Sequence, residues 1–106
     1  MKYMGSKARF ANQIIDTILK DCSYHNNTWI EPFVGGANCI DKVPSTFNRI
    51  GYDLNKGLVT FLQALSDGWT PEYVTKNQYE YLKYSDDVDN PLYGYAGICC
   101  SYSGKW

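Results

Sequence analysis

Histidine is nearly absent from the chain: there is one, His25, beside four cysteines, Cys22, Cys39, Cys99 and Cys100. No two cysteines stand in a C-x-x-C arrangement, so the ligand spacing of a zinc site is missing. Adjacent cysteines such as Cys99 and Cys100 rarely bridge each other, and the thiols read as reduced, in a cytoplasmic setting. Long apolar runs are missing as well. A polar stretch follows Met1, and no run of about 20 apolar residues occurs, which argues against a membrane span and against secretion. An excess of positive charge is also missing: the formal net charge is -1, so no overall basicity points to nucleic acid. There is no internal repeat and no low-complexity tract.

What is present is the composition of a folded domain. A chain of 106 residues that is 44% hydrophobic suits one globular unit rather than a disordered segment. It can bury roughly two-thirds of its unfolded surface. The charges are unevenly spread. Lys2, Lys7, Arg9 and Lys20 outnumber Asp16 at the N-terminal end, whereas Glu80, Asp86, Asp87 and Asp89 outnumber Lys83 further on. Such asymmetry suits a solvated face or, in the basic segment, contact with a phosphate. Seven of the ten tyrosines lie between Tyr73 and Tyr102. With few basic neighbours they suit half-buried helix surfaces, where one end of the ring stays wet, better than a base-stacking platform.

Residues 6–21 carry Phe10, Ile14, Ile15 and Ile18 on a helical period, with Asn12, Asp16 and Lys20 between them, which predicts an amphipathic helix. T-W-I-E-P-F over 28–33 is a β-prone run with proline near its end, and R-I-G-Y-D-L over 49–54 predicts a second strand. Between them, 37–43 suits a short helix. Asn55 is placed to cap a helix reaching about Ser66, with Leu58, Leu62 and Leu65 on one face and Gly68 at its C-terminal cap. Thr70 before Pro71 predicts another helix start, running to about Tyr84. Residues 96–101 are a candidate third strand, although so short an apolar run fits a buried helix equally. Strands alternating with helices predict an α/β fold with a parallel strand pair and a right-handed crossover. Two strands are few for a parallel sheet. The sheet is therefore expected to be incomplete toward the C-terminus, with an edge that invites a partner protein or a second copy.

The stretch W-I-E-P-F-V-G-G-A-N-C, residues 29–39, runs a strand into two glycines and a helix-like segment. Glycine lets backbone approach a ligand, and a helix start offers free N–H groups, so such a turn is a generic nucleotide cradle. A plain tight turn has the same letters. Gly35-Gly36-Ala37 does not continue as G-x-G-x-x-G, which speaks against NAD, and Gly5-Ser6-Lys7 lacks the rest of a P-loop. Asp53 sharpens the reading. It ends the second predicted strand, 17 residues beyond Gly36, where an acidic residue of a doubly wound fold accepts hydrogen bonds from ribose hydroxyls. Asp53 could instead cap the next helix, but Asn55 can serve there. A ribose-bearing ligand is expected, with no need for a pyrophosphate.

Four segments then match one family in order. K-Y-M-G-S-K (2–7), E-P-F-V-G-G-A (31–37), G-Y-D-L-N (51–55) and G-I-C-C-S-Y-S-G-K-W (97–106) resemble segments of the Dam-type DNA adenine-N6 methyltransferases, of the kind many phages carry. In that order they are similar to the opening K-[WY]-x-G-[GS]-K, the S-adenosylmethionine loop, the acidic strand end and a later segment. The resemblance implies a partial Rossmann-like fold, with a short parallel sheet flanked by helices and incomplete at the C-terminus. It implies S-adenosylmethionine as cofactor. By position, Asp53 binds the ribose, Gly35 and Gly36 pass close to the amino-acid part, and Glu31 and Phe33 stand on the same wall. Tyr3 and Lys7 line the site from the N-terminal segment. A tyrosine ring suits a sulfonium or a purine, and a lysine suits a carboxylate.

The resemblance also implies a division into 1–68, the cofactor-binding α/β portion, and 69–106, a helical segment leading toward target recognition. The family transfers a methyl group to N6 of an adenine turned out of the DNA duplex, and a [DNS]-P-P-[YF] motif holds that base. The chain has no such motif. Asn90-Pro91-Leu92-Tyr93 has Leu92 in place of the second proline and comes too early, and it suits a turn or helix start. No catalytic residue is assigned, and target-recognition and catalytic motifs are expected beyond Trp106. The implied protein is an N-terminal, cofactor-binding part of a DNA adenine methyltransferase, inactive alone. The other reading is a non-enzymatic, phage-type regulator that uses the same fold to bind a partner protein.

Overall fold

A computed structural model of the protein describes residues 1–20 and 27–105. Cys22, His25, Trp106 and the last residue of the predicted first helix lie outside them. The described residues form helices α1 (Ala11–Lys20), α2 (Lys56–Ser66), α3 (Lys76–Ser85) and α4 (Pro91–Cys99), and strands β1 (Thr28–Glu31) and β2 (Asn48–Gly51). Short 3-10 turns occupy Ile40–Lys42 and Tyr102–Gly104. This is a mixed fold, helices with a small parallel sheet, as the alternating pattern predicts. Two compact units result, residues 5–53 and residues 1–4 with 54–106. No helix among the described residues is long and apolar enough to cross a membrane.

In the 5–53 unit, β1 and β2 pair in parallel, Thr28 opposite Asn48 through Glu31 opposite Gly51. Both strands stop short of their predicted ends because Pro32 has no N–H to offer the ladder and residues 32–33 form a turn. The pairing nevertheless continues into the loops. Tyr52 N donates to Glu31 O at 2.9 Å, and Val34 N donates to Tyr52 O at 2.8 Å. Gly51 is required at this seam, since a Cβ there would lie 2.9 Å from Val34 Cγ2 and 3.2 Å from Ile40 Cδ1. Ala11 and Ile15 of α1 pack with Trp29, Cys39 and Val43 to make the core, and Ile14, Leu19, Ile40 and Phe47 border it. Helix α1 starts later than the period predicts. Phe10, just before it, and Ile18 within it stay exposed, and Ser6 and Lys7 are drawn into contacts with the loop after β1.

The other unit is built on α2 and α4. Asn55 Oδ1 accepts from Leu58 N at 3.1 Å, the predicted cap, and Gly68 follows α2 with φ of +91°, a left-handed conformation suited to glycine at a helix end. Leu58, Phe61 and Ile98 form the core, bordered by Tyr3, Leu62, Trp69 and Tyr95. Phe61, Trp69 and Tyr95 meet as an aromatic trio with ring centroids 5.8 to 6.4 Å apart, within the range of favourable edge contacts.

The structure resolves one open reading and corrects one predicted start. The candidate strand 96–101 is largely the end of α4. Asn90 caps that helix and Pro91 opens it, and Gly94 lets it lie on α2, where a Cβ would stand 2.8 Å from Phe61 Cβ and collide with Gly57 O. The helix predicted from Thr70 begins instead at Lys76. Thr75 caps it in a reciprocal box with Gln78, and residues 70–75 are irregular.

Candidate functional site

The loop that leaves β1 turns back on itself through two left-handed residues, Gly35 at φ of 51° and Ala37 at φ of 60°. Left-handed backbone costs a glycine little and an alanine more, so surrounding contacts must hold this turn. Buried Val34 is tied to the end of β2 through Tyr52 O. One residue on, Gly35 N donates to Asp53 Oδ2 at 3.0 Å. The glycine turn and the acidic strand end, separate in sequence, thus meet through a charge-assisted hydrogen bond. Asp53 is half-buried. The cap of the next helix is supplied by Asn55, as the sequence predicts, and not by Asp53.

Lys7 enters from the N-terminal side. Its Nζ donates to Phe33 O at 2.7 Å and stands 3.6 Å from Glu31 Oε1. Glu31 points inward at the end of β1 and is 8% exposed, alone among the described charged residues in being buried. Its Oε2 accepts from Trp29 Nε1 at 3.4 Å, whereas its buried Oε1 has no hydrogen-bond donor. Phe33 gives its carbonyl to Lys7 and is 76% exposed beside the turn. Burial raises the thiol pKa of Cys39, the Glu31 carboxylate raises it further, and Lys7 and Lys42 offset part of the rise.

Six of the seven residues singled out in the sequence, Lys7, Glu31, Phe33, Gly35, Gly36 and Asp53, therefore belong to the 5–53 unit, where Lys7, Glu31 and Phe33 touch and Asp53 holds Gly35. Tyr3 belongs to the other unit. It borders the Leu58, Phe61 and Ile98 core and lines, with Asn55, Gly57, Tyr93, Gly97 and Lys105, a cavity of about 410 Å³. Asn90 is occupied as a helix cap, its Oδ1 accepting from Leu92 N at 3.0 Å and its Nδ2 donating to Asp87 Oδ2 at 3.2 Å. Two residues not singled out in the sequence, Ser6 and Asn38, also meet side chain to side chain at 2.8 Å. Each stands one or two residues from a singled-out position, and that adjacency was the only signal. Among the described residues, no group of three or more histidine, cysteine, aspartate or glutamate side chains could hold a metal ion.

This arrangement offers a half-buried carboxylate beside a glycine turn, an ammonium and a carboxylate of opposite sign nearby, and an exposed ring. Comparison with known proteins adds a family. The family model described as D12 class N6 adenine-specific DNA methyltransferase matches residues 3–96. No curated protein and no solved structure matches the chain.

Proposed function

The chain belongs to the D12 class of N6 adenine-specific DNA methyltransferases, and from that premise we propose that it holds the methyl donor S-adenosylmethionine at the glycine turn. In this reading the Asp53 carboxylate takes the ribose hydroxyls. Gly35 and Gly36 bring backbone close to the amino-acid end, Glu31 and Lys7 meet its charges, and Phe33 lends an apolar wall. The observation that carries the reading is the 3.0 Å hydrogen bond from Gly35 N to Asp53. It gives the acidic strand end and the glycine turn one shared edge, the place where a doubly wound fold takes a ribose.

The family's reaction carries a methyl group from the sulfonium of the donor to N6 of adenine in DNA. A base undergoing such chemistry must leave the helical stack, and the [DNS]-P-P-[YF] motif that receives it in the family does not occur in these 106 residues. We therefore assign donor binding to this chain and assign it no methyl transfer by itself. A partner-binding, non-enzymatic role is the second reading. It is supported by the sheet, in which each described strand has one hydrogen-bonded strand neighbour, because a strand edge with no neighbouring strand invites another chain.

Calorimetry with S-adenosylhomocysteine tests the donor reading. Wild type is expected to bind, and Asp53→Ala to bind at least about tenfold more weakly, the worth of a hydrogen bond to a charged group. Asp53→Asn keeps an acceptor for Gly35 N and separates loss of the ligand contact from loss of the turn. If wild type fails to bind, or Asp53→Ala binds as well as wild type, the site is not what we propose.

A further inference from the structure

We propose that Ser6 and Asn38 are positioning residues, a clasp that holds Lys7 and Glu31 at the spacing of the two charges of an α-amino-acid group. This rests on the donor reading above and adds to it how the amino-acid end of the ligand is recognised. Asn38 Nδ2 donates to Ser6 Oγ at 2.8 Å, and the same oxygen accepts from Ala8 N at 3.2 Å. Ser6 Oγ thus ties the segment around Lys7 to the far side of the glycine turn. Lys7, one residue on, is aimed at Phe33 O at 2.7 Å and is held 3.6 Å from Glu31 Oε1.

That distance is an ion pair and is too long for a hydrogen bond. Glu31 Oε1 is buried and receives no donor. A buried carboxylate oxygen left this way is costly, and a small shift of the Lys7 ammonium would satisfy it. The clasp opposes that shift. It keeps an acceptor in need of an ammonium beside an ammonium that has three N–H donors, one of which goes to Phe33 O. A zwitterionic amino-acid group brings the matching pair, its ammonium to Glu31 and its carboxylate to Lys7. Without the clasp, Lys7 and Glu31 would close on each other and quench both.

The test compares two ligands. S-Adenosylhomocysteine has the amino-acid group, and 5′-methylthioadenosine has the same nucleoside without it. Ser6→Ala and Asn38→Ala are each expected to weaken the first by about 2- to 10-fold, the worth of one hydrogen bond. The double variant should be no worse than the weaker single one, since both remove the same contact. Binding of 5′-methylthioadenosine should not change, and Ser6→Thr, which keeps the hydroxyl, should retain wild-type affinity. Equal losses for both ligands would mark general damage and overturn the proposal, as would unchanged binding of both. Thermal unfolding of each variant identifies any that no longer folds, in which case Ser6→Gly and Asn38→Leu, which also remove the contact, carry the comparison. If wild type binds neither ligand, the donor reading itself fails and takes the clasp with it. If wild type binds both and the variants follow wild type, the clasp alone fails.

Discussion

Burial and charge conflict most sharply at Glu31, and the conflict reaches its neighbour. Cys39 is 1% exposed, and its thiol is raised from the ordinary 9.0, by burial first and by the Glu31 carboxylate second. The folded chain therefore keeps this proton at a pH where the unfolded chain has begun to release it. The resulting stability is complete below about pH 9 and is lost as pH rises through the higher folded value. Urea midpoints measured from about pH 8 to about pH 10.5 should fall more steeply for wild type than for Cys39→Ala. Parallel slopes would place the alkaline sensitivity elsewhere. Nothing in the sequence marks Cys39 as buried beside a carboxylate, because that proximity is made by the turn and not by spacing. Asp53 was legible for the opposite reason. Its partner Gly35 lies in the loop that leaves β1, and the two parallel strands end side by side at Glu31 and Gly51, which brings the segments that follow them together. Ser6 and Asn38 stand 32 residues apart and meet side chain to side chain, which no periodicity encodes.

Among the elements, α3 is where two legitimate start signals compete. Thr70-Pro71 has a hydroxyl cap followed by proline. Thr75-Lys76-Asn77-Gln78 has the spacing of a capping box, and the structure uses it: Gln78 N donates to Thr75 Oγ1 at 3.2 Å and Thr75 N donates to Gln78 Oε1 at 2.9 Å. The box satisfies two backbone N–H groups where a single cap satisfies one. Thr75→Ala should accordingly cost about 1 kcal/mol of stability, while Thr70→Ala, outside any helix start, should stay within about 0.5 kcal/mol. Denaturant midpoints of the two variants decide it, and equal losses would restore Thr70 as the cap. The same competition explains what else was legible. Helix α2 was readable at both ends because Asn55 and Gly68 are local signals. Helix α4 was not, because its Gly94 is explained by contact with α2, and an apolar run of six residues looks alike as strand or helix.

For the molecule as a whole, a ligand that binds only the folded chain must raise its stability, whichever residues hold it. At a concentration of about 100 times its dissociation constant, S-adenosylhomocysteine should add about 2.7 kcal/mol, a rise in melting temperature on the order of 10 °C for a chain of this size. Amide exchange locates the effect. Slowing is expected in peptides covering residues 29–38 and 51–53, where the glycine turn and Asp53 lie, because backbone that closes on a ligand opens less often. Stabilisation with no slowing there would move the site away from the turn. Donor labelled in its methyl group and mixed with adenine-containing DNA should leave no label in the DNA, while the melting shift persists. Binding without transfer follows if donor binding needs only Lys7, the end of β1 with the turn after it, and the end of β2, all present in this chain. Transfer needs, besides these, a motif to receive the extruded adenine. Label in the DNA would mean that these residues receive the base by other means, and Asn90-Pro91-Leu92-Tyr93, assigned here to capping α4, would be the first place to substitute.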